Sequence, residues 1–180
     1  MNTVIPIPRY TYNDYQQWEG DWELIGGYPF AMSPSPISKH QLLASAFEYE
    51  LVKGLKKNRK DCLCKLYHET DWIISEENVV RPDICIVCGP VGLNDHIRIP
   101  PVLVVEIFSP ATRMKDRNTK FRLYEETGVK FYLMADPDLK KVEVFELIDN
   151  QYKEMPDKTA FQLTKNCLIE INSDELFIDL

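Results

Sequence analysis

A single α/β (α+β) domain is the fold class this 180-residue chain predicts, and three stretches predict it. Residues 102–108 are a near-continuous apolar run of strand length, the pattern of a central strand covered on both faces. From Ser38 onward, Leu42, Leu43, Ala46, Phe47, Glu50 and Leu51 recur near the helical period, which turns one apolar stripe of a long helix toward a sheet. Residues 22–25 and 28–32 flank Gly26-Gly27 and read as an N-terminal β-hairpin with a glycine turn. A chain of this length can bury roughly 70% of its unfolded surface in one domain, 1–180, without disulfides or metals to hold it.

Each element follows from local chemistry. Residues 12–18 suit a short helix, and the prolines of 33–36 make a stiff loop. Ser38 is placed to cap the long helix, and Gly54 weakens its end. Strands are expected at 62–69, 71–75 and 84–88, with Pro82 fixing the entry to the last because it cannot donate to a ladder. The loop 89–101 carries two glycines and three prolines before the apolar strand, which Ser109-Pro110 ends. A helix over 116–127 follows, with Gly128 suited to its C-terminal cap. Residues 131–135 and 141–147 pair around the Asp136-Pro137-Asp138 turn, and short C-terminal strands with a segment at 174–177 close the sheet's edge.

Charge and cysteine content exclude several classes. A net charge of −7 argues against a chain wrapped in nucleic acid. Local cation clusters differ: Lys53, Lys56, Lys57, Arg59 and Lys60 suit a helix C-terminus. Arg113, Lys115, Arg117, Lys120 and Arg122 form a local anion-attracting patch, with Arg113, Lys115 and Arg117 as candidate nucleic-acid contacts. No apolar run is long enough to span a membrane, and residues 1–15 have one basic residue and no apolar core of a leader, so the cytoplasm is the expected compartment. Five cysteines, an odd number, agree with that and read as small buried hydrophobes. Cys85 and Cys88 fall on opposite faces of a strand and cannot share a metal; Cys62 and Cys64 can share a face.

The chemistry gathers at a misplaced charge. On the apolar strand Val104, Glu106 and Phe108 share one face and Leu103, Val105 and Ile107 the other, so Glu106 is buried where an unanswered carboxylate is costly. Asp83 opens the preceding strand, and Asp116, Lys120, Leu123, Tyr124 and Thr127 form one stripe of the next helix. Two hard carboxylates can hold Mg²⁺ through oxygen while a lysine orients water and stabilises phosphoryl charge. Tyr124, one turn on, could fix the lysine, and His40 shares the long helix's stripe. The residues alone equally allow a structural Glu106–Lys120 ion pair sealing strand to helix.

The segments Trp22-Glu23-Leu24-Ile25-Gly26-Gly27, Ser38-Lys39-His40-Gln41, Arg81-Pro82-Asp83, Pro100-Pro101, Glu106-Ile107-Phe108-Ser109-Pro110-Ala111-Thr112, Asp116 with Lys120, and Tyr124 with Gly128 and Asp136-Pro137 together resemble a bacterial family. It is the family of putative restriction endonucleases within the PD-(D/E)XK nuclease superfamily, and the likeness runs over 10–180. The resemblance implies a restriction-endonuclease-like core, a central mixed β-sheet flanked by helices, Mg²⁺ or Mn²⁺ as cofactor, and DNA as substrate. Asp83 matches the aspartate of the PD element and Glu106 the (D/E) position, which makes both the expected metal ligands. Where the superfamily has its lysine this chain has Phe108, and Lys120 on the following helix stands in for it. Asp116, Tyr124, Glu23 and His40 are expected to support these three catalytic residues. The expected activity is a metal-dependent DNA endonuclease hydrolysing phosphodiester bonds, as a homodimer since two strands call for two sites; the alternative is an inactive nuclease-like module that binds DNA or a protein partner.

Overall fold

The computed structural model describes residues 7–32, 37–58, 60, 62–109 and 113–180. The proline loop at 33–36, Arg59 of the first basic cluster, and the Pro110-Ala111-Thr112 part of the family-like motif lie outside these residues. A short helix α1 (Tyr12–Tyr15) leads into the hairpin β1 (Trp22–Ile25) and β2 (Tyr28–Ala31), whose turn glycines both have positive φ, +59° at Gly26 and +78° at Gly27. That is the conformation a tight two-residue hairpin asks for and glycine supplies. Helix α2 (Ser38–Lys57) is 20 residues long, and Ile37 rather than Ser38 occupies its N-cap.

Next come β3 (Lys65–His68), β4 (Trp72–Ser75), β5 (Asn78–Val80), β6 (Ile84–Val87) and β7 (Leu103–Ile107). A π-helical turn (Lys115–Lys120) runs directly into α3 (Phe121–Thr127), where a continuous α-helix was expected. Then follow β8 (Phe131–Asp136), β9 (Lys141–Ile148), β10 (Gln151–Glu154), β11 (Ala160–Thr164), β12 (Cys167–Glu170) and a 3₁₀ turn (Ser173–Phe177).

Six of these strands form the central sheet, in the order β10-β9-β8-β7-β6-β3. It is mixed: β7 and β8 are parallel, and the other neighbours are antiparallel. The parallel pair demands a crossover, which the π turn and α3 provide. A second sheet, β2-β1-β5-β4, is antiparallel.

The alternation on β7 divides the core as predicted. Leu103, Val105 and Ile107 pack with Leu43, Phe47 and Leu51 of α2 and with Phe161, Ile169 and Leu176. Val104 and Phe108 face the other way, toward Trp72, Ile25, Val80 and Tyr124. The central sheet is thus covered by α2 and the β11–β12 hairpin on one face, and by the second sheet and α3 on the other. Gly54 has a packing role, since a Cβ there would stand 3.0 Å from that of Ile169, so the glycine lets α2 and β12 approach closely. The segment at 173–177 packs on α2, where the sequence suggests a cover for the sheet's edge.

The cysteines depart from expectation. Cys62 is bonded to Cys167 and Cys64 to Cys88, leaving Cys85 as the free, buried thiol. Cys85 packs on the face of Val104 and Cys88 on that of Val105, opposite sides as their odd spacing requires. Pairing across 105 and 24 residues is tertiary information that spacing does not encode. Among the described residues no helix is long and apolar enough to cross a membrane.

Candidate active site

The antiparallel register of β6 and β7 brings the two candidate ligands together. Cys85 pairs with Val104 and Ile84 with Val105, so one further step sets Asp83 opposite Glu106. Residues directly opposite on antiparallel strands project from the same face at roughly 5 Å between Cβ atoms. Two carboxylates there repel unless positive charge answers them. Asp83 Oδ2 accepts the backbone N–H of Ile107 at 2.7 Å, which pins its carboxylate beside Glu106. His40, from the first turn of α2, lies 3.2 Å from the same oxygen through Nε2.

Lys120 ends the π turn and is 3% exposed, so its ammonium is inside the protein rather than in solvent. Its Nζ is 2.8 Å from Glu106 Oε1, 2.8 Å from Glu23 Oε1 and 3.7 Å from Asp116 Oδ1. Tyr124, one turn on, donates its hydroxyl to Glu106 Oε1 at 2.7 Å, with its ring held between Trp72 and Tyr132. Glu23, fully buried on β1, also accepts the backbone N–H of Arg81 at 2.9 Å and the ammonium of Lys115 at 2.5 Å. The second sheet is therefore wired into the site through one carboxylate.

Lys115 illustrates what the helical period hides. Lys115 was expected as a nucleic-acid contact just ahead of the helix, and at about 3.6 residues per turn side chains five apart on a plain α-helix diverge by about 140°. Bonding from i to i+5 widens the turn and brings such positions nearly into line. Lys115 and Lys120 accordingly both reach Glu23. The other two candidate contacts remain at the surface: Arg113 pairs with Asp136 at 2.8 Å and Arg117 with Glu143 at 2.5 Å. Both guanidinium groups lie over the ring of Phe108, which is thereby a platform for two arginines.

Among the described residues Glu23, Glu106, Asp116 and Asp83 face the ammonium groups of Lys115 and Lys120 and the imidazole of His40. Burial pushes Glu106 up to about 8, and Asp116, Asp83 and Glu23 push the same way against the pull of Lys120. Burial alone would lower Lys120, but Glu106, Glu23 and Asp116 override it and hold the amine well above its ordinary value. Glu23 is held below the usual carboxylate range, its burial overcome by Lys120 and Lys115. The hydrogen bond to Asp83 raises His40 in spite of desolvation. Burial and neighbouring carboxylates thus raise Glu106, while Glu23, served by both lysines, is lowered.

A hard divalent cation fits this donor set by charge and by ligand type. Among the described residues the hydrogen bonds to the two candidate ligands fall on one oxygen each, Oδ2 of Asp83 and Oε1 of Glu106. Lys120 stands where the carboxylates meet, and among the described residues no three carboxylate or imidazole ligand atoms here lie within 4.8 Å of one another.

A mixed sheet flanked by helices, with Asp83, Glu106 and Lys120 gathered where β6 begins and β7 ends, has a nuclease-like α+β architecture. The chain belongs to the Uma2 family, described as "Putative restriction endonuclease", which matches residues 12–168. It is similar to the uncharacterized protein slr1290 of Synechocystis sp., with 26% identity over 151 residues, 81% of this chain and 78% of that protein. Its fold is similar to the crystal structure of a putative nuclease belonging to DUF820 from Anabaena variabilis, with a TM-score of 0.72 and 19% identity over 96% of this chain and 98% of that one.

Proposed function

We propose that the protein is a DNA endonuclease that hydrolyses phosphodiester bonds with Mg²⁺ or Mn²⁺ held by Asp83 and Glu106. The observation that carries this is geometric: three buried carboxylates, Glu106, Glu23 and Asp116, converge on the ammonium of Lys120, and Asp83 is pinned beside Glu106. Bound there, the ion would supply Lewis acidity toward a phosphoryl oxygen and acidify a water. Lys120 is the group that orients the attacking water and stabilises charge on the phosphoryl oxygens. Its two equal contacts give it a place to go, since Glu23 retains the ammonium when Glu106 turns to another cation. Tyr124 fixes Glu106 Oε1, while Ile107 and His40 fix Asp83 Oδ2, so the two ligands keep their aim without the ion. Asp116 holds the pocket side of Lys120.

DNA as substrate is supported by the family's description and by Arg113 and Arg117, which flank the site at 38% and 44% side-chain exposure. Each is paired with a carboxylate that a phosphate could displace. One site cuts one strand, so cleavage of a duplex calls for two copies, and the proposal is of a homodimer acting in the cytoplasm. A second reading, a silent nuclease-like module that binds DNA or a protein partner, is favoured by Lys120, whose ammonium already serves Glu106 as a counter-ion.

Supercoiled-plasmid nicking with and without Mn²⁺ separates the two. Under the first reading wild type nicks only with the metal, Asp83→Ala loses Mn²⁺ binding by calorimetry, and Lys120→Ala loses nicking. A wild type that retards DNA in a gel, yet neither binds Mn²⁺ nor nicks any DNA, establishes the second.

A further inference from the structure

On the opposite face of the sheet from the acidic site, four cysteines meet at one point. Cys64 immediately precedes β3 and Cys88 immediately follows β6, and the register Lys65 with Val87 sets them across from each other. Cys62 lies two residues earlier, and Cys167 opens β12 in the hairpin that packs on α2. The sulfurs of Cys62, Cys64 and Cys167 all lie within 4.8 Å of one another, and that of Cys88 is bonded to Cys64. The two bridges are therefore in mutual contact, where either one alone would already link its two segments. Cys62, Cys64 and Cys167 are 6%, 8% and 0% exposed.

We propose that these four residues are a tetrathiolate site for a thiophilic divalent cation of the zinc type, and that the two disulfides are its oxidised form. A zinc–sulfur bond of ~2.3 Å puts the sulfurs of a tetrahedron about 3.8 Å apart, inside the 4.8 Å span within which those of Cys62, Cys64 and Cys167 already lie. Tetrahedral Cys₄ coordination is a structural zinc arrangement, and where thiols stay reduced such a grouping serves metal binding. In reducing solution the four thiols lose four protons to the solvent on taking up one Zn²⁺. Oxidation by a peroxide runs the other way: two hydrogen peroxide molecules and four protons take four electrons from the four thiolates. Two S–S bonds form, Zn²⁺ is released and four waters result. The site fastens the β11–β12 hairpin to the edge strand β3 in either form. It is separate from the acidic site, since β6 carries Asp83 at one end and Cys88 at the other, about 16 Å apart at ~3.3 Å per residue.

The test uses the full-length protein purified under reductant from zinc-supplemented cells. Elemental analysis should find one zinc per chain, retained by Asp83→Ala and Cys85→Ala and lost from Cys88→Ser and Cys167→Ser. Replacement by Co²⁺ in wild type should give the thiolate-to-cobalt charge-transfer band of a tetrahedral site, a readout that needs no variant to fold. Peroxide should release the zinc and lower the thiols titratable after denaturation from five to one, Cys85. A reduced wild type without zinc, zinc that follows Asp83 instead of the cysteines, or iron with inorganic sulfide in its place each overturns the proposal.

Discussion

Glutamine in place of Glu106 should flatten the pH dependence of the metal-free protein's stability. Glu106 titrates near 4.5 in an unfolded chain and at about 8 when folded, because burial and three neighbouring carboxylates outweigh Lys120. Between those values the folded protein binds the proton that the unfolded chain releases, so stability is fully present below the lower value and declines as pH rises toward the upper. At ~1.36 kcal/mol per pH unit this amounts to about 3 kcal/mol between pH 5 and pH 8. His40 is also raised on folding, so its contribution, present at low pH, fades as pH climbs through its folded value and leaves a smaller residual slope of the same sign. The assay is urea unfolding in chelator at several pH values in that range, for wild type and Glu106→Gln, with Mn²⁺ added in a parallel series. Wild type should lose stability steadily toward pH 8, the variant much less, and Mn²⁺ should restore wild type alone. Parallel curves for the two proteins would refute the reasoning, because Lys120 and Tyr124 would then satisfy Glu106 completely and the site would have no call for another cation.

Two further outcomes are expected. Tyr124→Phe removes a hydroxyl 2.7 Å from a buried carboxylate oxygen without changing the ring, and should cost about 1–3 kcal/mol in urea unfolding at neutral pH and lower metal-dependent nicking; an unchanged midpoint would mean water replaces the hydroxyl. Gly128→Ala should cost about 1 kcal/mol in thermal unfolding purely through backbone strain, since Gly128 has φ +84° and a Cβ there meets nothing within 4 Å.

Glu106 was legible because a period of two is rigid: once residues 102–108 are a strand, one charge among apolar neighbours stands out and its face is fixed. The Asp116, Lys120, Tyr124 stripe was legible for a related reason, since spacing by four survives in the π turn well enough to bury Asp116 and Lys120 together. Lys115 was not, because its inward aim exists only in the widened turn, and nothing in its residue type announces that turn. The strand β5 escaped notice because Asn78-Val79-Val80 is too short to show alternation, yet its pairing with β1 carries Glu23 into the site. The cysteine pairs were invisible because partners distant in sequence meet only when β3 pairs with β6 and the β11–β12 hairpin packs on α2. Periodicity reports what one regular element does by itself; β5 and the cysteine pairs depend on two elements meeting, and Lys115 on a departure from the regular period.

The parallel alignment of β7 and β8 has a consequence for where a cation can be stationed. A strand residue can be re-aimed only by slipping the whole ladder, whereas the return path between parallel strands is free to gain or lose a residue. Carrying Lys120 on that path gives the protein an adjustable arm over a rigid floor, and leaves the floor position, Phe108, open to carry the arginines at the rim.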